Sequence, residues 1–83
     1  MKLGLSKRAK KDIRLFSTEE QIRIASALDR LRSDPRSCDF KKLKGQESSW
    51  RLRIGDLRAI IDYDKQAQVY YVVTIKPRVA AYR

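Results

Sequence analysis

The chain has 83 residues, 42% of them apolar and 36% charged, and twenty Lys and Arg against ten Asp and Glu leave a formal charge of +10. A chain this short buries only about 60–65% of its unfolded surface around one core, so a single domain over 1–83 is expected. Self-repulsion on this scale costs stability and points to a polyanionic partner: nucleic acid, an anionic membrane surface or an acidic protein.

No stretch approaches the about eighteen apolar residues of a membrane span. Residues 1–10 hold cations without the apolar run of a signal peptide, so a cytoplasmic protein with no membrane association is expected. There is no histidine, which removes the paired-imidazole ribonucleases, the Ser-His-Asp triad and the Cys-His pair. Cys38 is the one cysteine, so neither an intrachain disulfide nor a thiolate zinc site is expected.

In chain order, residues 2–5 read as a short first strand. From Ser6, a suitable N-cap, the spacing becomes helical, with Leu5, Ala9, Ile13 and Phe16 on one stripe and Lys7, Arg8, Lys10, Lys11 and Arg14 outside it. Ser17 followed by Glu20 has the pattern of a capping box, and Glu19 adds charge favourable to the dipole of a second helix. That helix carries Ile24, Leu28 and Leu31 and should stop near Ser33, because Asp34 precedes Pro35 and pre-proline residues disfavour helical angles. Two helices joined by a short turn make a helical hairpin.

Residues 36–49 follow neither period and carry Lys41, Lys42 and Lys44, so an exposed loop anchored by Phe40 or Leu43 is expected. The period then changes to two. Trp50, Leu52 and Ile54 alternate with Arg51 and Arg53; Gly55 and Asp56 form a turn; Leu57, Ala59, Ile61 and Tyr63 alternate with Arg58, Ile60 and Asp62. A second turn over 64–67 leads to Val69–Ile75, a β-branched and aromatic run suited to a central strand covered on both faces. The expected fold class is α+β: an N-terminal helical hairpin packed on one face of a small, mainly antiparallel sheet of three to four strands.

A tight turn at Gly55-Asp56 sets Ile54 opposite Leu57, Arg53 opposite Arg58, Leu52 opposite Ala59 and Arg51 opposite Ile60. One face then carries the apolar residues, and the other Arg51, Arg53 and Arg58. Opposed like charges destabilise a sheet by roughly 0.2–1 kcal/mol, which a fold alone does not require. Two readings stand beside each other: a solvated face on which arginine stems cover apolar surface, and an anion-binding face. Beyond the last strand lie Lys76, Arg78, Tyr82 and Arg83. Tyr82 reads either as a C-terminal core plug or as a platform for a base.

Asp62 and Asp64 share a strand face, but carboxylates at a strand end are usually turn residues, so no metal site and no cofactor is expected. What remains is charge. RNA carries its own nucleophile, the 2′-hydroxyl, and clustered cations can position it and stabilise charge on the phosphate. Arginine is a poor proton acceptor, which leaves Lys76 or the lysines of the loop before Trp50 as candidates.

The order of Lys-Arg-Ala-Lys-Lys-Asp, Asp-Pro-Arg, Lys-Lys-Leu-Lys-Gly, Trp-Arg-Leu-Arg-Ile-Gly-Asp-Leu-Arg-Ala-Ile-Ile-Asp-Tyr and Pro-Arg-Val-Ala-Ala-Tyr-Arg resembles the RelE/ParE toxin superfamily, in its RelE branch, over essentially the whole chain. The resemblance implies the toxin of a type II toxin–antitoxin pair, which enters the ribosomal A site and cuts translated mRNA by 2′-hydroxyl attack. It implies ribosome, mRNA and a RelB-like antitoxin as partners. Carried over, Arg58 resembles the arginine that stabilises the scissile phosphate, Arg78 the one near the leaving group and Tyr82 the base-stacking tyrosine. Arg51 and Arg53 stand where some members place lysines, and Pro77 where members usually have a histidine or a basic residue. Lys42, Lys44, Lys76 and Arg83 complete the expected RNA- and phosphate-binding set. Two other functions fit the same fold: a ParE-like inhibitor of DNA gyrase, and a catalytically silent RNA-binding member neutralised by an antitoxin.

Overall fold

In a computed structural model, which describes residues 1–45 and 48–78, the chain runs β1 (Leu3–Leu5), α1 (Lys7–Leu15), α2 (Thr18–Ser33), β2 (Phe40–Lys42), β3 (Ser49–Ile54), β4 (Leu57–Asp64) and β5 (Val69–Pro77). The strands form one sheet in the order β1-β5-β4-β3-β2. Only β1 runs parallel to its neighbour, β5. The architecture is the expected α+β arrangement, with a five-stranded mixed sheet where three to four strands were expected. Among the described residues, no helix is long and apolar enough to cross a membrane.

Local chemistry sets the helix boundaries. The Ser6 hydroxyl accepts from the Ala9 N–H at 3.0 Å and donates to the Val73 carbonyl at 2.8 Å, so one side chain starts α1 and ties it to β5. Ser17 and Glu20 form the complete capping box of α2, and Glu19 and Glu20 place negative charge in its first turn. Asp34 closes α2, and Pro35–Ser37 forms a short 3-10 turn. Ile24, Leu28 and Leu31 of α2 and Ala9 of α1 meet Leu52, Ile54, Leu57, Ala59, Ile61, Val72 and Ile75 in a core on one face of the sheet. Ile22, which flanks the α2 stripe, is 63% exposed.

Two expectations need correction. Residues 36–49 are not simply a loop, because Phe40–Lys42 pairs antiparallel with β3 as an edge strand and Phe40 stacks on Trp50 with centroids 4.8 Å apart. Nor is β5 covered on both faces: Tyr71 is 39% exposed. A bulge in β5, where Ile60 faces Thr74 and Ile61 faces Val72, leaves Val73 as the extra residue. Beyond Val72, β1 no longer pairs with β5, and the Asp12 carboxylate of α1 accepts from the Thr74 hydroxyl at 2.7 Å and the Ile75 N–H at 3.1 Å. A helix side chain thereby satisfies backbone that would otherwise form an open edge.

Candidate nucleic-acid interface

The β3–β4 hairpin has the register that its turn requires. Gly55 takes a φ of +57°, a left-handed conformation in which a side chain is unfavourable, and the pairs Ile54–Leu57, Arg53–Arg58, Leu52–Ala59 and Arg51–Ile60 follow from it. The next strand extends the pattern, since Lys76 of β5 lies opposite Arg58. Arg53, Arg58 and Lys76 therefore form one row across three neighbouring strands, on the face turned away from the core. With strands about 4.8 Å apart, the row sets three cations within about 10 Å of backbone. A second row holds Lys41, Arg51, Ile60 and Thr74.

Arg58 is not the solvated surface arginine that alternation suggests: it is 2% exposed. Its Nη1 donates to the carbonyls of Gly55 at 2.9 Å and Leu57 at 2.8 Å, while Nε has no hydrogen-bond partner among the described residues. No carboxylate among the described residues pairs with it. Burying a guanidinium costs several kcal/mol unless an anion compensates, and its two neighbours in the row are also cations. This concentration of positive charge under restricted solvent is suited to a phosphate, whose oxygens match the guanidinium fork.

The other expected residues divide. Arg53 is exposed beside Arg58, and Lys76 is half-buried in the same row. Arg78 is exposed just past β5, and its backbone N–H donates to the Asp56 carbonyl at 2.8 Å, fixing it at the hairpin-turn end of the row. Arg51 lies one row away and is bound to Asp39 at 3.0 Å, an acid whose proximity only the pairing of β2 with β3 creates. Lys42 faces Trp50 in register and so belongs to the core side of the sheet, whereas Lys41, which is outside the expected phosphate-binding set, stands in the row of Arg51. Lys44 is exposed in the turn after β2. Lys41, Lys42, Leu43, Lys44 and Arg51 line a shallow hollow of about 270 Å³. Tyr82 and Arg83 lie outside the described residues. The same residues include no group of three or more His, Cys, Asp or Glu arranged to hold a metal ion.

No family model matches the chain, and no curated protein matches it in sequence. Solved structures do match. A chain of the archaeal RelE–RelB complex from Pyrococcus horikoshii OT3 aligns at 24% identity with a TM-score of 0.74, over 93% of each chain. The RelB–RelE antitoxin–toxin complex from Methanococcus jannaschii gives 20% identity and a TM-score of 0.77, over 94% of this chain and 93% of that one. The isolated E. coli RelE toxin gives 17% identity and a TM-score of 0.72, over 98% and 92%. At these identities the likeness is one of fold, and the chain has the fold of the RelE toxins over nearly its whole length.

Proposed function

We propose that this chain is the toxin of a type II toxin–antitoxin pair and acts as a ribosome-dependent endonuclease on translated mRNA. The observation that carries the reading is Arg58: a buried guanidinium that no carboxylate among the described residues pairs with, flanked in register by Arg53 and Lys76 and close to the fixed backbone of Arg78. The fold shared with RelE chains solved with RelB supports it.

In the proposed reaction, the 2′-hydroxyl of one nucleotide attacks its own 3′-phosphorus. The bond from phosphorus to the next nucleotide's 5′-oxygen breaks, leaving a 2′,3′-cyclic phosphate and a 5′-hydroxyl. Arg58 stabilises the charge that gathers on the non-bridging oxygens, and its fixed position means that little reorganisation accompanies the reaction. Arg53 and Lys76 bind the phosphates on either side, and Arg78 serves the leaving oxygen. Tyr82 stacks on a base to hold the attack in line. The 2′-hydroxyl proton passes to water, and water returns one to the leaving 5′-oxygen, while Lys76 stays beside Arg58 in the row. The partner that silences the site is a RelB-like antitoxin, whose acidic segment offsets the +10 charge of the chain.

The test incubates the purified protein with mRNA on programmed ribosomes, with mRNA alone, and with gyrase and DNA. Cleavage confined to ribosome-bound mRNA is the expected outcome. Equal cutting of free mRNA would remove the ribosome from the mechanism, and gyrase-dependent DNA breaks with intact mRNA would replace it with gyrase inhibition.

A further inference from the structure

The face that carries the arginine rows continues to a third row, at the far end of the sheet from the hairpin turn. There Asp62 lies between Ser49 on one side and Tyr71 on the other, and Gly4 of β1 follows Tyr71. Four features distinguish this row. Tyr71 is a 39% exposed aromatic on a strand, and no other aromatic ring packs against it among the described residues. Gly4, unfavourable within a strand, gives the tyrosine its place: a Cβ there would lie 2.9 Å from the ring's Cε1 and 3.0 Å from Cδ1. Asp62 puts negative charge on the face that carries the arginine rows, yet no cation among the described residues forms an ion pair with it. Finally, the Ser49 hydroxyl donates to Asp62 Oδ1 at 2.6 Å, which orients the carboxylate and leaves it further accepting capacity.

A carboxylate repels phosphate, so this row does not extend the phosphate track. It suits the Watson–Crick edge of an unpaired base held against an aromatic ring. We infer that Tyr71 and Asp62 form a base-reading pocket for the same RNA strand, selective for guanine, an inference that rests on the proposed RNA-cleaving function. Guanine presents adjacent N1–H and N2–H donors that a carboxylate accepts together. Uracil presents one N–H between two carbonyl oxygens, which the carboxylate repels. Asp62 lies four positions along β4 from Arg58, about 13 Å of strand, so the base read lies a few nucleotides from the scissile phosphate.

The test is fluorescence anisotropy with short, labelled A-rich RNAs carrying one central G, or U in its place. Wild-type protein binds the G-containing strand about 5- to 150-fold more tightly, the range for one well-paired base edge. Asp62→Ala abolishes the difference while retaining affinity for the U-containing strand. Tyr71→Ala weakens both strands by about 5- to 150-fold, and Tyr71→Phe, which keeps the ring, restores them. Thermal melts confirm that each variant is folded. Equal G and U affinity in the wild type, unchanged discrimination in Asp62→Ala, or unchanged affinity in Tyr71→Ala would each overturn the inference. Arg58→Ala separates this failure from that of the function. If Arg58→Ala weakens binding and the Tyr71 and Asp62 variants do not, the pocket alone is wrong. If wild-type protein binds neither strand, the pocket falls together with the RNA reading.

Discussion

Replacing Arg58 with methionine should make the protein more stable and less active. The guanidinium is 2% exposed, donates to two backbone carbonyls and leaves Nε without a partner among the described residues. Desolvation of such an ion costs several kcal/mol. Two charged hydrogen bonds return about 1.5–3 kcal/mol each at most, and the opposed Arg53 and Lys76 add repulsion on the scale of about 0.2–1 kcal/mol each. Methionine fills much of the same volume without charge, so a net gain of about 1–3 kcal/mol is expected. In a domain of this size 1 kcal/mol moves Tm by about 4–8 °C. Urea and thermal unfolding at low salt measure it, and phosphate should raise the wild-type Tm more than that of Arg58→Met, because an anion that binds only the folded protein stabilises it by mass action. A loss of more than about 1 kcal/mol in Arg58→Met, with equal phosphate response, would show instead that Arg58 is a structural strut.

Other outcomes follow from single contacts. Asp12→Ala, which strands the Thr74 hydroxyl and the Ile75 N–H, should cost about 2–4 kcal/mol in urea unfolding. Ser17→Ala removes the capping box of α2 and should cost about 1 kcal/mol, read as a fall in Tm. Gly4→Ala forces its new Cβ against the Tyr71 ring and should destabilise by about 1–3 kcal/mol, with Tyr71→Ala in the same chain relieving most of the loss. In RNA binding, Arg53→Gln should flatten the dependence of log affinity on log salt by about 0.7, the value for one phosphate contact on a single strand.

Much of the fold is legible because local chemistry dictates it. The Ser17–Glu20 box and the Asp34-Pro35 pair set both ends of α2, and Gly55-Asp56 sets a hairpin register that places Arg53 opposite Arg58. β2 was not legible, because three residues with one apolar member show no alternation; its strand conformation comes from pairing with β3. The same pairing brings Asp39 to Arg51 and turns Lys42 to the Trp50 side of the sheet, neither of which follows from residues 36–49 taken as a loop. β1 finds β5 across most of the chain, and nothing in either segment announces a parallel partner. Alternation assigns Arg58 to a face but cannot report how crowded that face is. Its burial, and with it the contrast between Arg58 and its exposed neighbour Arg53, is a property of the folded chain.

The most direct test of the central claim is to map cleavage of mRNA on programmed ribosomes and to determine the chemistry of the new ends, for the wild-type protein beside Arg58→Ala. Expected are cuts within the A-site codon, 2′,3′-cyclic phosphate and 5′-hydroxyl ends, and a rate lower by about 10²–10³ in the variant, the range for removing one charge-stabilising donor. Intact mRNA with the wild-type protein, or equal cleavage by Arg58→Ala, would contradict that claim.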